Sequence, residues 1–134
     1  MAHSHKPWQA LGQVMNRGIT YFSLTLLDKK LLRRTRELIE QNIMDPDYSV
    51  LKLAGDYGLS QDNLNKKLKA LIGMTAKSYI RSVKLKRAAR LLATGRYTVA
   101  EVTYDVGFSD LKYFRKAFKN EFDVSPSEFK SLKA

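Results

Sequence analysis

The chain has 134 residues, enough for one ordinary domain or two very small ones, and 44% of them are hydrophobic, which suits a packed core. Lys and Arg number 24 against 13 Asp and Glu, a formal charge of +11 that favours a polyanionic partner, nucleic acid first and an anionic membrane surface second. With no cysteine, disulfides, thiolate metal centres and cysteine nucleophiles are excluded; no apolar run approaches the ~20 residues of a membrane span, and the polar start Met1-Ala-His-Ser-His-Lys-Pro is no secretory signal, so a cytoplasmic location is expected.

Residues 1–27 read as a leader, a linker or an expression remnant. His3 and His5 form an H-x-H pair, but no third ligand follows, so no metal site is expected. Phe22, Leu24 and Leu26 alternate with Ser23 and Thr25 at a strand period, yet a lone strand has no partner. From Asp28, taken as a cap, the pattern turns helical: Leu31, Thr35, Leu38, Ile39 and Ile43 recur at the spacing of one buried helix face. Asp45-Pro46-Asp47 stops this helix, because proline disfavours helical geometry in the residue before it. Ser49 caps a short helix with Val50, Leu53, Ala54 and Tyr57 on one face, and Gly58 ends it. Ser60 caps a third helix, with Leu64, Leu68 and Leu71 inward and Gly73 at its end.

Thr75 caps a long helix to about Ala93. Leu85, Ala88, Ala89 and Leu92 form its apolar stripe, and Arg81, Lys84, Lys86, Arg87 and Arg90 its polar surface. Thr98-x-x-Glu101 is a capping box opening a short helix with Val99, Val102 and Val106, closed by Gly107. Ser109 is expected to cap the next helix, which buries Phe114, Phe118 and Phe122. Ser125-Pro126-x-Glu128 joins a cap, a proline at the first helical position and a capping-box acid ahead of a last helix. The pattern predicts an all-α fold of about seven helices.

The chain also repeats itself. Val50, Leu53, Tyr57, Gly58, Leu59 and Ser60 recur 49 residues later as Val99, Val102, Val106, Gly107, Phe108 and Ser109. Leu64, Leu68, Lys69, Ile72, Thr75 and Tyr79 recur 50 residues later as Phe114, Phe118, Lys119, Phe122, Ser125 and Phe129, so one residue is inserted after the second turn. Each copy reads short helix, glycine turn, longer helix, the helix-turn-helix pattern. The predicted layout is a first helix-turn-helix unit over 28–74, a linker helix over 75–93 and a second unit over 94–134.

The second copy, Ala100 to Phe129, resembles the signature of AraC/XylS-type transcription regulators, and Ile80-Arg-Ser-Val-Lys-Leu-Lys-Arg-Ala-Ala-Arg-Leu-Leu92 resembles that family's linker helix. The resemblance covers about residues 31–132. It implies two helix-turn-helix subdomains bridged by one helix, whose recognition helices enter successive major-groove segments of double-stranded DNA. Asp45-Pro-Asp-Tyr-Ser49 also resembles the lead-in to output domains of hybrid two-component sensors. Two positions depart from the pattern. Asp123 stands where glycine is usual, at a small expected cost in stability, and Ala76 replaces the usual proline after Thr75.

Candidate DNA contacts follow by subtraction. With Leu64, Leu68 and Leu71 inward, Asp62, Asn65, Lys66 and Lys69 share an outer face of the first recognition helix; the same face of the second carries Lys112, Arg115, Lys116 and Lys119. Asparagine pairs bidentately with adenine, and arginine and lysine with guanine. The resemblance places base contacts near Asn65, Lys66, Arg115 and Lys116. The base-reading set is therefore Asp62, Asn65, Lys66, Leu111, Lys112, Arg115 and Lys116. The phosphate set is Ser49, Ser60, Lys69, Thr98, Ser109 and Lys119, the serines and threonine through helix-start N–H groups. No catalytic residue, metal or cofactor is expected. An RNA-binding helical protein would share the charge but has no need of two such units. Contact with RNA polymerase is compatible as an additional role, and any dimerisation is expected through a domain outside this chain.

Overall fold

The computed structural model describes residues 26–133; the readings made on His3, His5 and the Phe22–Thr25 stretch lie outside them. The described residues form seven α-helices and no strand: α1 (Leu26–Gln41), α2 (Val50–Asp56), α3 (Gln61–Ile72), α4 (Ala76–Ala93), α5 (Val99–Asp105), α6 (Leu111–Phe122) and α7 (Pro126–Lys133). The chain is helical from Leu26, so Asp28 lies inside the first turns of α1 rather than capping it.

The helix starts are set by short polar side chains that accept from otherwise orphaned backbone N–H groups. Ser49, Ser60 and Thr75 accept from Lys52, Asn63 and Ser78. Thr98 with Glu101, and Ser125 with Glu128, close reciprocal capping boxes. The start of α6 differs from expectation: Asp110, not Ser109, accepts from the Lys112 N–H. The helix starts at 61 and 111 are 50 residues apart, so Asp110 is the counterpart of Ser60 and Ser109 is the inserted residue.

Both turns are wired alike. Leu59 N–H donates to the Ala54 carbonyl at 2.9 Å, and Phe108 N–H to that of Thr103 at 3.0 Å, across glycines with φ of +67° (Gly58) and +86° (Gly107). The two longer helices also end alike: Gly73 (φ +74°) donates to Lys69, and Asp123 (φ +67°), with the left-handed backbone expected of a glycine substitute, donates to Lys119.

Two hydrophobic cores result. The first gathers Leu38, Ile39, Leu53, Leu64, Leu68 and Ile72 from α1–α3; the second gathers Val102, Val106, Phe108, Phe114 and Phe118 from α5, α6 and the turn between them. Each fully buried phenylalanine, Phe114 and Phe118, is worth roughly 1.5–3 kcal/mol relative to exposure. Helix α4 belongs to both cores: Ala76, Ile80 and Val83 pack into the first, Leu85, Ala88 and Leu92 into the second. It touches all six other helices.

Two expectations for buried faces change. In α3 the inward residue of the last turn is Ile72, with Leu71 only partly buried. In α4, Lys84 is 7% exposed instead of lying on a polar surface. Its Nζ donates to the Gly107 carbonyl at 3.3 Å and sits 5.8 Å from the Phe108 ring centroid. Burial pushes the Lys84 amine below the ordinary lysine value, and the Asp45 carboxylate pulls it part of the way back. A second tie crosses the same junction. Ile43, just beyond α1, packs into the second core, and its carbonyl oxygen occupies the space a Cβ on Gly107 would need.

The two turn glycines should therefore respond differently to alanine. A Cβ on Gly58 meets nothing within 4 Å, so Gly58→Ala should cost only the left-handed backbone penalty, about 1–2 kcal/mol. A Cβ on Gly107 would collide with the Ile43 carbonyl as well, and Gly107→Ala should cost about 3 kcal/mol or more. Equilibrium urea unfolding of the two variants measures the difference.

Candidate nucleic-acid interface

The cations of α6 stand outward because its aromatic residues take the inward positions. Phe114 and Phe118 are fully buried with ring centroids 5.8 Å apart, and Phe118 packs in turn on Phe122 and Phe129. The intervening Lys112, Arg115, Lys116 and Lys119 are exposed, and Leu111 is half-buried at the first position. No ion pair holds any of these four cations among the described residues, although Lys119 lies near enough to Glu128 to help the Ser125 hydrogen bonds lower that carboxyl's pKa.

Helix α3 is built the same way but presents less charge. Asp62, Lys66 and Lys69 are exposed; Leu64 and Leu68 are fully buried. Asn65 departs from the outer face assigned to it. It is half-buried, and its Oδ1 accepts from the Ala76 N–H at 2.8 Å. Ala76 is fully buried at the first position of α4, where a helix leaves an N–H without an internal partner. A proline there has no N–H to satisfy. In the second copy the matching residue is Pro126, and the counterpart of Asn65 is Arg115, which is exposed. The alanine at 76 thus creates a donor, and Asn65 is the side chain that satisfies it. The departure at Ala76 was visible in the sequence; its link to Asn65 across the α3–α4 turn was not.

The four hydroxyl residues assigned to phosphate are exposed, and three are engaged locally. Ser49 and Ser60 accept from the N–H groups three residues on, at 3.5 Å and 3.1 Å. Thr98 accepts from the Glu101 N–H at 3.0 Å, while the Glu101 carboxylate takes the Thr98 N–H at 2.8 Å. That carboxylate puts negative charge at the start of α5, an arrangement that opposes a phosphate there. Ser109 caps nothing and borders a cleft between α4 and α6.

Sequence reasoning also passed over Tyr113. It is 45% exposed on the flank of α6, stacks at 5.8 Å against Phe108, and its hydroxyl oxygen lies 3.5 Å from Nη1 of Arg81 on α4. Its position next to Phe114 in an otherwise basic helix was the available signal.

Groups with shifted titration serve the fold. Tyr48 donates to the Asp56 carboxylate, and burial together with that anion pushes its phenol up. Tyr57 sits 2.7 Å from the Thr35 hydroxyl, tying α2 to α1, and burial raises its value too. Among the described residues there is no cluster of three His, Asp or Glu side chains able to hold a metal, and no helix is long and apolar enough to cross a membrane.

Comparison with known proteins agrees with this architecture. A helix-turn-helix domain family matches residues 53–131. The chain is 32% identical over 109 residues to histidine kinase P4 of Formosa agariphila, which covers 81% of this chain and 8% of that protein. It is 40% identical over 78 residues to the Msm operon regulatory protein of Streptococcus mutans, covering 58% of this chain and 28% of that one. The chain therefore spans less than a third of either relative. A solved transcriptional regulator with an AraC-type DNA-binding domain, from Chromobacterium violaceum, superposes with a TM-score of 0.73 at 25% identity, covering 82% of this chain and 97% of that one. Two identically wired turns, two longer helices that each bury one face and expose the other, and the match over residues 53–131 make one assignment: the chain belongs to the AraC-type helix-turn-helix DNA-binding domain family.

Proposed function

We propose that α3 and α6 enter successive major-groove segments of one double-stranded DNA site, and that α6 supplies most of both its affinity and its base selection. The observation that carries this reading is four exposed cations and no exposed anion on α6, against three exposed cations (Lys66, Lys67 and Lys69) and one exposed anion (Asp62) on α3. In this reading Leu111, Lys112, Arg115 and Lys116 face base edges from α6, and Asp62 and Lys66 from α3. Arginine and lysine select guanine, and the Asp62 carboxylate accepts from cytosine N4. Lys69 and Lys119, in the last turns of their helices, face phosphates, as do the hydroxyls of Ser49, Ser60 and Ser109, whereas Thr98 is held by Glu101 and is left out of the phosphate set. Asn65 holds the angle between α3 and α4 before it reads any base.

Residues 28–74 and 94–134 are then the two reading units and 75–93 the helix common to them. The histidine-kinase relative supports an output role in a larger two-component protein, with sensing and dimerisation supplied by a domain outside this chain. Contact with RNA polymerase, a location on the nucleoid in the cytoplasm, and the lack of any catalysed reaction complete the reading. Two side chains with shifted titration are spent on internal contacts, Tyr48 on Asp56 and Lys84 on Gly107.

The reading is tested by selecting duplexes from a random library and footprinting the winner. Two protected major-groove segments about one helical turn apart are expected, with structured RNA competing poorly; one segment, or equal competition by RNA, overturns it.

Arg115→Ala should cost about 1–3 kcal/mol on the selected site and relax the preference at one base pair. Lys119→Ala should weaken selected and random duplexes by similar factors, lowering the slope of log K against log salt by about one. Asn65→Ala should act differently from both. Leaving the buried Ala76 N–H unsatisfied should lower folding stability by about 1–3 kcal/mol, while base preference changes little. Gel-shift titrations across salt, paired with thermal unfolding, separate the three.

A further inference from the structure

A cleft of about 240 Å³ lies between α4 and the start of α6, lined by Lys77, Arg81 and Lys84 on α4 and by Ser109 and Tyr113. Lys84 is committed to the Gly107 carbonyl, but Lys77 is exposed and Arg81 half-buried, and neither has an ion-pair partner among the described residues. The Tyr113 hydroxyl, at 3.5 Å, is the one hydrogen-bond partner given for the Arg81 guanidinium. On the other side of Lys77 a second hollow is lined by Ser49, at the start of α2, and Gln61, the first residue of α3. The first turns of α4 therefore form a cationic floor between the leading ends of the two reading helices.

A recognition helix contacts base edges mainly with its N-terminal residues. A duplex that takes up the starts of α3 and α6 in two major-groove segments must carry its intervening backbone over that floor. We propose that Lys77 and Arg81, with the Tyr113 hydroxyl orienting the guanidinium, bind phosphates of the DNA backbone in the spacer between the two segments. The site adds affinity without reading sequence, and it fixes which phosphates face the protein. Arginine suits this position because its planar fork engages a phosphate with two N–H groups while another stays on the tyrosine. The inference rests on the two-helix reading above.

Phosphate-ethylation interference on the selected duplex, with a salt titration, provides the test. For the unaltered chain, ethylation of one or two spacer phosphates should block binding. In the Lys77→Gln, Arg81→Gln double variant that spacer interference should vanish while protection of both major-groove segments remains, and the log–log salt slope should fall by about 1.8, or 0.9 per lost contact. Tyr113→Phe should weaken the Arg81-dependent interference alone. Circular dichroism melting confirms that each variant is folded; if the double variant does not fold, the single exposed-residue variant Lys77→Gln, expected to lower the slope by about 0.9, carries the test. Two protected segments with unchanged spacer interference and slope overturn the cleft site but leave the two-helix reading standing. A footprint without two segments overturns both. Loss of base preference in the double variant, with the slope intact, overturns the proposed phosphate role.

Discussion

Helix α4 is the element on which the rest of the structure depends. An amphipathic helix on the surface of a domain buries one stripe; α4 buries opposite faces along its two halves, Ile80 and Val83 into one core and Leu85, Ala88 and Leu92 into the other. Neither core closes without it. Lys84 falls on the seam between them, and its ammonium is accommodated because its own methylene stem is buried while its tip meets the Gly107 carbonyl and the Phe108 ring. The Ile43 carbonyl and the Lys84 amine both border the space where a Cβ on this glycine would lie. The orientation of the second turn relative to the first unit is thus set by packed backbone and one buried cation. Exposed ion pairs such as Arg90–Glu40, at 4.0 Å, add little to it.

The two units use one wiring scheme for different chemistry. Their turns carry the same hydrogen bonds and their longer helices the same left-handed ends, yet their sequences diverge both in the core and on the outer face. The first unit packs α3 through leucines and isoleucine and leaves three cations and an acid outside; the second packs α6 through phenylalanines and leaves four cations. The inserted Ser109 lengthens the second turn by one residue and moves the cap to Asp110, which gives that turn the room to border the α4 cleft.

Most of this fold was legible in the sequence because its helix boundaries are signalled locally. The capping boxes at Thr98 and Ser125, the serine caps at 49 and 60 and the positive-φ residues at 58, 73, 107 and 123 occur where the pattern put them. What escaped was non-local. Lys84 read as surface because α4 has no single apolar face from which to measure it. Leu71 and Ile72 are adjacent, and periodicity alone does not decide which of two neighbouring apolar residues turns inward. Asp110 sits beside Ser109, and both are good caps, so the inserted residue could not be located from residue type alone. Asn65 has the spacing of an outward residue; only the fold brings the Ala76 N–H to it.

That last contact places a condition on how the regulator can change over generations. Position 115, opposite Pro126, is free to vary, since no backbone donor waits for its side chain. Position 65 is held by an amide eleven residues away, and replacing it first would strand a buried N–H. A proline at 76 would remove the donor and release the side chain to vary. The order of substitutions therefore matters at position 65 in the first unit and is free at the matching position 115 in the second, so the outer face of α6 can change more readily than that of α3.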